Sequence, residues 1–275
     1  MMGDDQFARW PLRPMAAVLG LRYVSAQRGP EPVKFKPPLV GFVAGVGAAA
    51  AGVAVFTVRL PSDTLVLSIG TIAIFLTAVY TIRGLPSAGT FWSPAALVQL
   101  GLSLTCGPLG AASGAVSESL GVHLRTRNGL FRTTFNASSH FLANSTAWAV
   151  FSGIGMTLGR GILPTLVSAL IAGFAQYIVS NMLLVVVVRI SDPRAKVAKM
   201  PRTRLAVLPS CVGNGIAAFC FVTLHDAAGW VGFAALLVPL ASMHGLLVHW
   251  AQRVGTFEAA RCLPEGAIGV APEGG

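Results

Sequence analysis

Apolar residues run along this chain in long blocks, and charged residues collect in the short gaps between them. A membrane-spanning helix needs about 20 consecutive, mostly apolar residues. Six blocks meet that requirement: Pro38–Val58, Thr64–Ile82, Phe135–Leu158, Ile162–Val188, Leu205–Leu224 and Trp230–Trp250. The pattern predicts an all-α fold, a polytopic bundle of membrane helices.

A seventh block, Pro94–Val122, is long and is broken in its middle by Gly107-Pro108. Proline lacks a backbone N–H and clashes with the preceding turn, and the residue before it is biased away from helix. Two readings follow: one kinked span, or two short helices folded into a hairpin. Charge separates them, because cytoplasmic connections collect Lys and Arg. If the block returns to its own side, 18 of the 20 Lys and Arg share one side and only Arg59 and Arg160 fall on the other. If it crosses once, the split is 8 against 12. Letting Thr64–Ile82 fail to cross gives 17 against 3, but that run has a span's length and no proline. The expectation is therefore six spans plus a hairpin at 94–122, with both termini cytoplasmic. Non-helical backbone at membrane depth is tolerated only inside protein or beside a cavity, so the turn near Gly107 should be buried.

Composition agrees. Of the 275 residues, 54% are hydrophobic and 11% charged, far below the charge of a soluble domain. The net charge of +10 would suggest nucleic acid in a soluble protein. Here the cations sit between apolar blocks, and no basic run is interleaved with stacking aromatics, so membrane lipid is the expected partner and nucleic acid is not. Residues 1–37 read as a basic cytoplasmic arm, 38–250 as the membrane domain and 251–275 as a cytoplasmic tail too short for a catalytic domain. Asp4 and Asp5 argue against a signal peptide. Cys106, Cys211, Cys220 and Cys262 form no CxxC pair, and the five histidines show no HxxxH spacing, so neither a disulfide framework nor a metal or haem site is expected. No cofactor is expected.

The polar exceptions inside the blocks are the candidate site. Glu118 is the one acidic residue within them, and an ionisable group at membrane depth is costly. Gly110, Gly114 and Glu118 share a helix face at four-residue spacing. Asn136, His140 and Asn144 form a second stripe at the same spacing. Each has a structural reading, Glu118 meeting Arg125 or water near the cytoplasmic end of the hairpin and the stripe making interhelical hydrogen bonds, and both share a functional one: two walls of a site for a small polar ligand. Gln176 and Asn181 extend the set. Gln99, Asn214 and His244 read singly as glue between helices. Gly41, Gly45 and Ala49, like Gly155 and Gly159, mark packing faces. Walker A, HExxH, GxSxG and GxGxxG signatures do not occur, and no catalytic residue is assigned.

The order Gly107-Pro108-Leu109-Gly110-Ala111, a small-residue helix ending in an acid, a basic loop, Leu130-Phe131-Arg132-Thr133-Thr134-Phe135-Asn136-Ala137, then Gln176-Tyr177-Ile178-Val179-Ser180-Asn181 resembles the multi-span N-terminal region of bacterial HD-domain phosphohydrolases and diguanylate cyclases. The resemblance covers about residues 40–250. It implies a non-enzymatic signal-input module of the bacterial inner membrane. No HD or GGDEF output domain is found, so it further implies a separate cytoplasmic or membrane partner chain. The Gly-Pro-Leu-x-Gly-Ala segment also looks like the substrate-binding subunits of energy-coupling-factor transporters, which implies a vitamin-type transport subunit instead. A third expectation is a structural subunit packing through its glycine faces.

Overall fold

The computed structural model describes residues 37–57, 63–79, 94–126, 129–159, 161–191 and 200–261. Among them every regular element is helical: α1 (Pro37–Thr57), α2 (Thr64–Val79), α3 (Pro94–Thr126), α4 (Leu130–Leu158), α5 (Ile162–Ser191) and α6 (Met200–Arg261). Most of the basic arm, the end of the tail, Arg59 and Arg83 lie outside the described residues.

Local chemistry sets the ends. Pro37 and Pro38 open α1, where a missing N–H costs nothing. Asp63 caps α2, its Oδ1 accepting from the N–H groups of Leu65 and Val66 at 3.1 and 3.0 Å. Gly159 closes α4 at φ +82°, its N–H donating to Gly155 O at 3.1 Å. Leu130, Phe131 and Arg132, which precede the predicted span, are already helical.

Two helices fold back on themselves. In α3 the reversal is at Gly107 (φ 66°, ψ −152°) and in α6 at Gly229 (φ 59°, ψ −142°), backbone conformations that essentially only glycine adopts. The partners across each reversal prove the fold-back. A methyl group on Gly114 would sit 2.9 Å from Gln99 Cγ, although a straight helix would separate these residues by about 22 Å. The rings of Phe221 and Phe233 are 4.6 Å apart, against about 18 Å in a straight rod. Each hairpin closes on a second glycine three residues after the turn. Gly110 lies against the carbonyl of Leu102 and Gly232 against that of Leu224, leaving no room for a Cβ. The hairpin form of 94–122 is thus the observed one, and the kinked span is not.

The arms then alternate in direction. Phe42 meets Phe135 and Ala50 packs with Phe141 and Ala111, so α1 runs alongside α4 in the same sense. Val66, Leu102, Phe221 and Phe233 share one buried cluster, which places both hairpin tips and the start of α2 at the same end. Inverted repeats would put their broken helices at opposite ends; this chain does not.

Among the described residues four stretches are long and apolar enough to cross a membrane: Pro37–Thr57, Ile162–Ser191, and Pro94–Leu124 and Cys211–Met243, the last two each counted through its fold-back, with Thr64–Val79 a shorter apolar helix. Helix α4, which carries the polar stripe, is not among them. The outer helices show Val55, Phe56, Ile162, Leu163 and Met182 on their surfaces, as a bilayer allows. In the apolar core of α3, 72% of residues are buried, against 17% in α1 and α5 and 22% in α6. The α3 hairpin is therefore the centre of the bundle. Its turn meets the expectation of burial in large part: Pro108 and Gly110 are buried, and Gly107 is half-buried beside the indole of Trp148.

Candidate functional site

The fold-back of α3 brings Gln99 on its first arm to Glu118 on its second. With the Gln99 carboxamide oriented to satisfy both ends, its nitrogen donates to Glu118 Oε2 at 2.9 Å and its oxygen accepts from the Ala115 N–H at 3.0 Å. His140 of α4 reaches the same carboxylate oxygen, Nδ1 to Oε2 at 3.6 Å. That distance is too long for a good hydrogen bond and short enough for a charge contact when the imidazole is protonated. Three arms thus converge on one carboxylate at the centre of the bundle. Glu118 is 13% exposed and His140 37%.

One turn further along α4 lies the second polar group. Asn144 is fully buried; its Nδ2 donates to His140 O at 2.8 Å and its Oδ1 accepts from Gln176 Nε2 of α5 at 2.8 Å. A buried amide pair with both ends satisfied is stabilising only because each partner is present. One turn the other way, Asn136 is half-buried, and beyond it His123 Nδ1 lies 3.1 Å from Thr133 Oγ1. The stripe predicted on α4 is therefore real as a geometric line. It touches α3 at His140 and α5 at Asn144.

Not every predicted member joins. Asn181 is five residues past Gln176, about 140° round α5, and its amide donates to the carbonyl of Tyr177 at 2.9 Å. Gln99, read from sequence as glue, is the residue in closest contact with Glu118. The signal for it was present: a hairpin centred on Gly107-Pro108 lays position 99 opposite positions 115–118.

A second cluster went unpredicted. At the hairpin-tip end, His225 Nε2 lies 3.4 Å from Asp63 Oδ2, and its Nδ1 lies 3.8 Å from Asp226 Oδ1. Asp63 thereby caps α2 with one oxygen and ties α6 to α2 with the other. Among the described residues no group of three or more His, Cys, Asp or Glu has the arrangement of a metal site.

Chemically, the Glu118 site can hold a hydrogen-bond donor or a positive charge, and a change there acts on three arms at once. Comparison with known protein families, with curated proteins and with solved structures gives no match.

Proposed function

We propose that this chain is a multi-pass protein of the bacterial inner membrane, six spans and a central hairpin, with both termini cytoplasmic. It works as a non-enzymatic signal-input module: a small polar ligand engages Glu118 and His140, and a separate partner chain reads the result at the Arg-rich connections. The observation that carries this reading is the convergence of three arms, through Gln99, Glu118 and His140, on one largely buried carboxylate. Occupancy of such a group biases how the arms pack, which is what a signal input requires. The alternation of arms supports the topology, because it is the arrangement in which the sequence assigns 18 of the 20 Lys and Arg to one side.

The test is gentle affinity purification from native membranes, with mass spectrometry of proteins and small molecules, for the native chain and for Glu118→Gln. Recovery of a cyclase, phosphohydrolase or kinase that weakens in the variant supports the module. Recovery of an ATPase-driven transport module with a bound vitamin replaces it with the transport reading. A partner whose recovery ignores Glu118→Gln but fails when Gly41 or Gly45 is made bulky replaces it with the structural one.

A further inference from the structure

The polar stripe of α4 is not equally exposed along its length. Arg132, Asn136, His140 and Asn144 climb α4 in steps of about 6 Å. Arg132 is exposed, Asn136 half-buried, the His140 side chain 37% exposed and Asn144 fully buried. Beyond Asn144 the interior closes. Leu100, Ala147, Ala169 and Ala218 are each without solvent exposure and pack as one cluster. Ser168, on the same level, is fully buried with its hydroxyl out of reach of water. The space beside His140 therefore opens toward the Arg-rich end and stops at the Asn144–Gln176 pair.

The donor and acceptor inventory at its inner end is lopsided. Gln99 and His140 both face Oε2 of Glu118, and Gln99 is spent on Ala115 and Glu118. Among the described residues the other carboxylate oxygen has no partner and is left as an acceptor, so the occupant must donate. A carboxylate at this depth favours a cation over a neutral donor.

We infer that the Glu118 site is the inner end of a blind vestibule, entered only from the Arg-rich end of the bundle, whose occupant is a small protonated amine. This rests on reading Glu118 and His140 as ligand contacts. It narrows that reading to a solute of the Arg-rich side and leaves no passage to the other. The sidedness is measured without any partner chain, so its failure is distinct from failure of the signalling reading.

The experiment uses the full chain with Cys106, Cys211, Cys220 and Cys262 replaced by alanine, in sealed membrane vesicles of both orientations. Gly129→Cys reports the Arg-rich side and Leu158→Cys the hairpin-tip side, and each is labelled by a membrane-impermeant maleimide. His140→Cys and Asn136→Cys are expected to label only from the side that labels Gly129→Cys. Ser168→Cys is expected to label from neither side until the protein is unfolded. Asn136→Cys carries the test if His140→Cys does not fold. Methylammonium is expected to slow labelling of Asn136→Cys, and Glu118→Gln to abolish that slowing. Labelling of position 136 or 140 from the Leu158 side overturns the blind vestibule, as does labelling of Ser168→Cys in the folded protein or protection of both 136 and 140 from both sides. Labelling from the Gly129 side that methylammonium does not slow overturns the amine.

Discussion

The hairpins of α3 and α6 share one local design and meet opposite surroundings. Each turns on a glycine at positive φ, and each closes with a second glycine three residues later against a leucine carbonyl. The α3 hairpin is walled in by the other helices; the tip of α6 leaves Asp226, Ala227, Ala228, Trp230 and Val231 exposed. Among the described residues, a polar pair between the arms is seen in the walled hairpin. Across the other, Phe221 stands where Gln99 does, eight residues before the turn, and its ring meets that of Phe233. Turn geometry is thus set locally by glycine, whereas the polarity between the arms follows from whether protein or lipid surrounds them.

The sharpest way to break this comparison is at the closing glycines. Gly110→Val should abolish recovery of folded protein from membranes, measured by size-exclusion chromatography in mild detergent, because its Cβ meets the Leu102 backbone inside the bundle. Gly232→Val should leave a folded but destabilised fraction, since the exposed α6 tip can open. Equal loss in both would show that surroundings do not matter. At the turns themselves, Gly107→Ala and Gly229→Ala should each cost about 1–3 kcal/mol of backbone strain. Neither adds a clash to that strain, since a Cβ on Gly107 meets Trp148 at an ordinary 3.4 Å and one on Gly229 meets open space. Thermal unfolding in detergent checks that the two costs are alike.

A smaller effect tests the polar pair. Gln99→Ala, Glu118→Ala and the double variant form a cycle whose coupling should be about 0.5–2 kcal/mol, favouring the native pair. Zero coupling would remove Gln99 from the site. Smaller still, Asp63→Ala should cost about 1 kcal/mol through the lost cap of α2, and Asp63→Asn less, since an amide oxygen still caps. Hydrogen exchange of the Leu65 and Val66 amides reports the difference.

Much of this was legible in the residues. The block lengths fixed the helices, and Gly107-Pro108 together with the Lys and Arg distribution selected the fold-back. The α6 hairpin was legible only as a gap between two spans, because Ala228-Gly229-Trp230 lacks the proline that marks the other turn. The stripe on α4 could be read from four-residue spacing, since helical periodicity is local. Contacts such as Gln176 to Asn144 and His225 to Asp63 could not. They join positions 32 and 162 residues apart, and the packing of whole arms selects them.

The pairing of Gln99 with Glu118 has a consequence for how the chain is made. Membrane helices enter the bilayer in order from the ribosome, so the α3 hairpin emerges before α4, α5 and α6 exist to surround it. Its carboxylate does not wait for His140. Both partners of the 2.9 Å contact lie on the hairpin itself, so the element most in need of walls carries enough internal hydrogen bonding to survive until they are synthesised.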